Sequence, residues 1–109
     1  MPDSLTIDAE QLRTWLQGAA QRDAAAFRAL YDATSPKLFG FALRILGKRE
    51  LAEEALQDGF IAIWNGAATY QSQLAAPMTW MTTIVRNKAL DMLRRQGGEL
   101  HIDGQVFDS

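Results

Sequence analysis

Apolar side chains recur every three or four residues along most of this chain, and glycine and proline divide them into segments. The first segment places Leu12, Trp15, Leu16 and Ala19 at this spacing, which is the repeat of an amphipathic α-helix and not the alternation of a β-strand. The 109 residues are the size of one domain, and 48% of them are hydrophobic, enough to form one core. We therefore predict an all-α fold, a compact helical bundle of about four to five helices.

Residues that start and stop helices set the expected boundaries. Asp8 and Asp23 precede apolar repeats and are predicted to cap the first two helices. Pro36 is expected to end the second helix and begin a third, with Ser35 as its N-cap, because proline disfavours helix in the residue before it and favours the first helical position. Gly47 is predicted to stop the third helix in a left-handed conformation.

Two further helices are predicted in the second half of the chain. The fourth runs from about Glu50 to Asn65 and contains Gly59, which costs about 1 kcal/mol relative to alanine in a helix interior and so predicts a looser helix there. The fifth runs from about Met78 to Gln96 and is expected to end at the Gly97-Gly98 pair that follows.

The predicted elements divide the chain into three parts. Residues 1–22 hold an N-terminal helix that leads into the domain, and residues 23–96 form the domain itself. Residues 97–109 contain glycines, acids and few large apolar groups, and are predicted to be a flexible interdomain linker.

Charge is segregated along the chain, although its net value is only −2. The fourth helix carries acids only, namely Glu50, Glu53, Glu54 and Asp58. The fifth helix carries Arg86, Lys88, Arg94 and Arg95 against the single acid Asp91. Two interpretations are open: one face for a protein partner and another for phosphates, or two solvated helix faces.

Several function classes are disfavoured by composition. The chain has no cysteine and one histidine, which excludes a disulfide scaffold, a cysteine-based zinc site and a thiol nucleophile. It also has no glycine-rich phosphate loop. The first residues lack the pattern of a signal peptide, and no apolar run is long enough to span a membrane. We expect a cytoplasmic protein that is not an enzyme and holds no metal or cofactor.

The motifs between residues 23 and 96 resemble, in order and spacing, the region-two domain of bacterial extracytoplasmic-function (ECF) sigma factors of the sigma-70 family. They are AFRALY at the start, ALRILG before the acidic helix, AEEALQDGFIAIW within it and TWMTTIVRNKALDMLRR as the last helix. The resemblance implies a transcription initiation domain that binds core RNA polymerase and recognises and melts the promoter minus-ten element.

The resemblance assigns the acidic helix to the polymerase. In the family this helix docks on the clamp coiled coil of the beta-prime subunit, and the matching positions here are Glu54, Gln57, Asp58, Ile61 and Asn65. Asp58 lies beyond the first helical turn, so the helix dipole does not account for it. The resemblance also implies an inhibitory anti-sigma factor as a partner.

The resemblance assigns the following connection and the last helix to the non-template strand of the minus-ten element. The matching positions are Tyr70, Gln71, Ser72 and Gln73 in the connection, then Thr79, Thr83, Arg86, Asn87, Lys88 and Arg94 in the helix. Amides and hydroxyls can hydrogen-bond an exposed base, an aromatic ring can stack on one, and arginine and lysine can hold phosphates.

Two alternatives stay open at this stage. Asn87 and Asp91 have the i, i+4 spacing of a purely structural hydrogen-bonded pair, and Asp91 and Arg95 that of an ion pair. The second functional hypothesis is a helical protein-interaction adapter without DNA binding. Family members usually carry a second, helix-turn-helix domain for which 109 residues leave no room, so we do not expect full promoter activity from this chain alone.

Overall fold

The computed structural model describes residues 8–101, and all regular structure within them is helical. Four α-helices and one short 3₁₀ helix follow one another as α1 (Ala9–Ala20), α2 (Ala24–Leu46), α3 (Arg49–Gly66), the 3₁₀ helix (Ala67–Thr69) and α4 (Pro77–His101). The prediction of an all-α bundle is confirmed.

The centre of the bundle is α2, which packs against each of the other three α-helices. Its buried stripe consists of Leu30, Thr34, Leu38, Ala42 and Leu46. The one polar member is satisfied internally, because the Thr34 hydroxyl donates to the Leu30 carbonyl oxygen at 2.8 Å. Because α2 has apolar residues on more than one face, it is stable only where neighbouring helices cover it on several sides.

Three of the predicted helix ends are present. The Asp8 carboxylate accepts a hydrogen bond from a first-turn N–H group of α1 at 3.0 Å, and Asp23 accepts from two N–H groups of α2 at 3.0 and 3.3 Å. Gly47 ends α2 with a positive φ of 77°, and its N–H donates to the Leu43 carbonyl oxygen at 2.7 Å. These caps satisfy backbone groups that the helices leave without partners.

The predicted break at Ser35 and Pro36 is wrong, because α2 continues through both residues to Leu46. Pro36 lies on the exposed side of the helix. Interior proline costs about 3 kcal/mol, but the buried stripe of α2 runs uninterrupted from Leu30 to Leu46 across the proline. Burial of this stripe therefore outweighs the local cost of the proline.

The predicted stop at Gly97 and Gly98 is also wrong, since α4 extends to His101. Glycine costs about 1 kcal/mol relative to alanine in a helix, but both residues lie within α4. Residues 102–109 of the predicted flexible linker lie outside the described part of the chain, as do residues 1–7.

The N-terminal helix is an integral part of the core. Leu12, Leu16 and Ala19 of α1 are at most 1% exposed, and α1 packs against α2, α4 and the 3₁₀ helix. Burying two leucine side chains contributes about 1.5–3 kcal/mol each. Helix α1 therefore belongs to the same hydrophobic core as the other helices.

Helices α3 and α4 cross closely at Gly59. Gly59 is buried, and a Cβ atom placed on it would lie 2.8 Å from Val85 Cγ2 and 3.4 Å from Val85 Cα. Helix α3 is continuous through this residue, so the loosening expected of a helical glycine does not occur. The absence of a side chain at residue 59 is what lets the two helices approach.

Arg22 ties the turn between α1 and α2 to the end of α3. Its guanidinium donates to the Trp64 carbonyl oxygen at 2.7 Å and lies 4.7 Å from the centre of the Trp64 ring. That carbonyl group is in the last turn of α3, where helical partners run out. The backbone of Arg22 has a positive φ of 66°. This left-handed conformation is unfavourable for residues other than glycine.

We expect Arg22→Ala to destabilise the protein by about 1–2 kcal/mol, because it loses a charged hydrogen bond and a cation–π contact at an exposed site. Arg22→Gly loses the same contacts but relieves the backbone strain, so its loss should be smaller by about 1 kcal/mol. Urea unfolding of the two variants measures both effects. An alanine variant as stable as the wild type would contradict a stabilising role for this contact.

Candidate functional site

The five residues predicted to bind polymerase lie together on one exposed face of α3. The helix buries its opposite face, which consists of Ala52, Ala55, Leu56, Gly59, Phe60 and Ile63. On the open face Glu54, Gln57, Ile61 and Asn65 are exposed and Asp58 is half-buried. Ile61 is 55% exposed, so this face combines an open apolar side chain with carboxylates and amides.

Two carboxylates on this face are available to a partner. Glu53 lies 3.6 Å from Arg49 in an i, i+4 ion pair, but among the described side chains of residues 8–96 no cationic group lies within 4.0 Å of Glu54 or Asp58. Glu50 is the acid in the first turn of α3, where the helix dipole stabilises it. The dipole therefore explains Glu50 but not Asp58, as the sequence predicted.

An aromatic groove borders the α3 face, and the sequence analysis missed it. The groove encloses about 920 Å³ between α2 and α3, and Gln57 and Ile61 contribute to its wall. Its other large apolar lining residues are Phe27, Tyr31 and Phe39 from α2 and Leu56, Phe60 and Trp64 from α3. The predicted α3 face therefore continues into an apolar surface that includes part of α2.

Edge-to-face aromatic contacts hold the floor of the groove. The ring of Phe27 lies 5.0 Å from that of Trp64 and 6.1 Å from that of Phe60, and Tyr31 lies 4.8 Å from Phe60. Such pairs contribute about 0.5–1.5 kcal/mol beyond the burial of their area. Tyr31 is nevertheless 38% exposed, so the floor is both fixed in shape and open at its surface.

The connection before α4 is folded back on itself by Tyr70. The Tyr70 hydroxyl donates to the Ala75 carbonyl oxygen at 2.6 Å, and its ring lies 5.3 Å from that of Trp80. This arrangement leaves Gln71, Ser72 and Gln73 exposed. The connection therefore presents amides and a hydroxyl to solvent, while Tyr70 has an internal role that the sequence did not predict.

Most of the predicted strand-binding residues of α4 share one face. With about 3.6 residues per turn, Thr79, Thr83, Arg86, Asn87 and Arg94 fall on one side of the helix, and all five are exposed. Lys88 falls on a different flank, next to the buried stripe that contains Val85 and Ala89, and is half-buried. The structure therefore groups five of these six residues and separates Lys88 from them.

Ion pairs at the end of α4 involve Asp91 and its neighbours. Asp91 pairs with Arg95 at 2.6 Å, as expected, and with Arg94 at 3.0 Å. The hydrogen bond from Arg94 lowers the pKa of the Asp91 carboxyl below its ordinary value, aided by the charge and hydrogen bond of Arg95 and opposed by partial desolvation of the carboxyl. In the described residues no hydrogen bond joins Asn87 to Asp91, so the alternative of a structural pair is not realised.

Arg86 is the cation of this face that lacks an acidic partner. No carboxylate in the described chain lies within 4.0 Å of its guanidinium, whereas Arg94 is held by Asp91. Two uncharged polar side chains lie on the same face as Arg86. They are the exposed Asn87 amide and the Thr83 hydroxyl, which donates to the Thr79 carbonyl oxygen at 2.9 Å.

Between residues 8 and 101 no helix is long and apolar enough to cross a lipid bilayer. Among the side chains of residues 8–96, no three acidic or histidine groups come together as metal ligands do.

The chain belongs to the sigma-70 region 2 family, whose model matches residues 30–99. It is 33% identical over 95 residues to "ECF RNA polymerase sigma factor SigK" of Mycobacterium sp. (strain KMS), covering 87% of this chain and 49% of that protein. The protein of the same name from Mycolicibacterium vanbaalenii is 33% identical over 92 residues, covering 84% of this chain and 47% of its own length.

A third relative of that name, from Mycobacterium tuberculosis (strain ATCC 25177 / H37Ra), is 29% identical over 93 residues, covering 85% of this chain and 48% of the relative. The chain thus spans about half the length of the curated relatives it matches. No solved structure matches significantly. The resemblance to an ECF sigma region-two domain is confirmed by these matches.

Proposed function

We propose that this chain is the part of an ECF sigma factor that binds core RNA polymerase and that recognises and melts the promoter minus-ten element. The observation that carries the proposal is the separation of two surfaces within one small domain. One is the α3 face, where Glu54 and Asp58 have no ion pair with any described side chain and lie beside open apolar groups. The other is the α4 face, where the Arg86 guanidinium has no carboxylate partner among the described side chains and lies among amides and hydroxyls. Family membership and the names of the relatives support the same assignment.

The polymerase partner in this proposal is the clamp coiled coil of the beta-prime subunit. A surface that joins Glu54 and Asp58 to Ile61 and the aromatic groove suits a helical partner that carries arginine beside apolar side chains. Tyr31 extends the proposed contact onto α2. An inhibitory anti-sigma factor is a further proposed partner.

The promoter partner in this proposal is the non-template strand after the duplex has opened. Arg86 and Arg94 are proposed to hold phosphates, and Gln71, Ser72 and Gln73 are proposed to contact an unstacked base. Stacking contributes about 1–3 kcal/mol per base, so capture of a base together with phosphate contacts offsets the unstacking of that base.

The competing function is an adapter that binds protein only, and a strand-binding titration separates the two. Fluorescein-labelled single strands that vary one base at a time through a minus-ten element are titrated with the chain at several salt concentrations. We expect binding that weakens steeply as salt rises, because phosphate contacts release counterions. Capture of core polymerase without any strand binding at low salt would support the adapter instead.

Arg86→Ala is expected to weaken strand binding and to reduce the slope of log affinity against log salt by about 0.7, the value for one phosphate contact on a single strand. The matched control is Arg28→Ala, which removes the same charge from an exposed site on α2 and should leave the slope near the wild-type value. An unaltered slope for Arg86→Ala would remove this residue from the proposed phosphate contacts.

A further inference from the structure

The second half of α2 carries cations and no acids. Between residues 33 and 48 the only charged side chains are Lys37, Arg44 and Lys48, in a chain whose net charge is −2, and all three are exposed. Lys37 and Arg44 are nearly two helical turns apart, so they share one face of α2 at a separation of about 10.5 Å along its axis. Lys48 follows in the connection to α3. These three residues form the α2 basic surface.

The cations of the α2 basic surface lack acidic partners. Among the described side chains of residues 8–96, no carboxylate lies within 4.0 Å of any of the three, whereas the next residue, Arg49, pairs with Glu53. The dipole of α2 stabilises a cation in its last turn and so accounts for Arg44. Lys37 lies more than two turns before that end, where the effect of the dipole has fallen off. The dipole therefore does not explain the surface as a whole.

Gly40 leaves the space between Lys37 and Arg44 open. It lies three residues after the lysine and four before the arginine, a spacing that makes residues neighbours on one helix face. A Cβ atom placed on Gly40 would have no contact with another part of the protein within 4 Å. A polyanion can therefore approach the backbone of α2 between the two cations.

The side chains around these cations favour a phosphate backbone over other polyanions. Within residues 33–48 no large apolar side chain is exposed. The core of a protein interface is apolar, and a helix that lies on a membrane buries an apolar face. Polybasic segments that bind anionic lipids without such a face carry about four to eight lysines and arginines. Contacts to phosphates need only cations and hydrogen-bond donors.

We propose that the α2 basic surface binds the phosphate backbone of the promoter single strand beyond the segment held by α4 and the connection before it. The inference rests on the proposed strand-binding function and adds to it a second contact that is independent of sequence. Helix α2 packs directly against α4, and the protein measures 48 × 32 × 24 Å. One strand of a duplex rises about 3.4 Å per nucleotide, so ten further nucleotides span about 34 Å, enough to reach from one helix to the other.

The test compares a short and a long single strand by fluorescence anisotropy with the full chain at several salt concentrations. The short strand covers the minus-ten element, and the long strand adds ten nucleotides of arbitrary sequence at each end. Wild-type protein should bind the long strand more tightly and with a steeper dependence on salt. The Lys37→Gln, Arg44→Gln double variant should lose about fivefold in affinity for the long strand, the effect of two exposed charge contacts. Its slope of log affinity against log salt should fall by about 1.4, the value for two phosphates on a single strand, and its binding to the short strand should match the wild type.

The matched control is the Arg13→Gln, Arg28→Gln double variant. It removes the same charge from two arginines outside the α2 basic surface, each of which pairs with an acid on its own helix. Its slope should stay near the wild-type value on both strands. Glutamine is a good helix former, and Lys37 and Arg44 are exposed, so the fold should be preserved, which circular dichroism checks.

An unchanged slope for Lys37→Gln, Arg44→Gln on the long strand would overturn the α2 contact while the strand-binding function stands. An equal reduction on the short strand, or in the control variant, would also overturn it, because that result indicates a general effect of charge. Loss of polymerase capture, or of binding to phosphatidylserine vesicles, with unchanged strand binding would assign the surface to a protein or a lipid partner instead. Failure of the wild type to bind any strand would overturn the strand-binding function and the α2 contact with it.

Discussion

Gly59→Leu should destabilise the fold by about 3 kcal/mol or more, at or beyond the upper end of the usual cost of overpacking a core. Even a single Cβ atom at this residue would lie 2.8 Å from Val85 Cγ2, and the β-branched valine has little freedom to move aside. Natural domains are stable by only about 5–15 kcal/mol, so the effect is a large share of the total. Urea unfolding followed by far-ultraviolet circular dichroism measures it.

The alanine pair Gly59→Ala and Gly40→Ala provides the matched control. Both changes raise helix propensity by about 1 kcal/mol, but a Cβ atom on Gly40 would have no atom outside its own helix within 4 Å. Gly40→Ala should therefore stabilise the protein, while Gly59→Ala should destabilise it or at best break even. A stabilising Gly59→Ala would contradict a close crossing of α3 and α4 at this residue.

This crossing also fixes the relation between the two proposed binding surfaces. Asp58 directly precedes Gly59 on α3, and Arg86 directly follows Val85 on α4. A larger residue at position 59 would push apart the helices that carry the carboxylate and the guanidinium. The glycine thus links the packing of the core to the spacing of the functional faces.

Local signals in the sequence were sufficient for most helix starts and for the faces of the helices. Asp8, Asp23 and Gly47 act as caps because their effect depends on backbone groups a few residues away. The stripe from Glu54 to Asn65 was predictable because the helical repeat alone determines which residues share a face. Such features require no knowledge of the rest of the fold.

The error at Pro36 and the omission of the aromatic groove have one physical cause, namely contacts between elements distant in sequence. Pro36 and the Gly97-Gly98 pair carry local helix-breaking signals, and at Pro36 burial of α2 on its neighbours outweighs the local cost. Phe27 and Tyr31 have the spacing of core residues, and only the position of α3 shows that they line an open groove. The sequence held one signal of the groove: α2 has more apolar residues than a single buried stripe contains.

Asp58→Arg should weaken capture of core RNA polymerase by about a hundredfold or more, because an opposed like charge at an interface costs several kcal/mol and each 1.4 kcal/mol is tenfold. Asp58 is half-buried and has no ion pair among the described side chains of residues 8–96, so the substitution should leave the helical fold intact. Fluorescence titration of labelled variant and wild type with core polymerase measures the change, and circular dichroism checks the fold.

Two comparisons make this result specific to the α3 face. Glu10→Arg changes the net charge equally from an exposed site on α1 and should leave polymerase affinity within a few-fold of the wild type, since distant surface charges are screened at physiological salt. Asp58→Arg itself should retain binding to the single strand, because α4 and the connection are unchanged. Loss of both activities would indicate that the two surfaces are coupled, and unchanged polymerase affinity would remove Asp58 from the proposed interface. We expect Asp58→Arg to lose polymerase binding and to keep strand binding, because the carboxylates and the Arg86 guanidinium lie on different helices. These helices are packed closely against each other at Gly59.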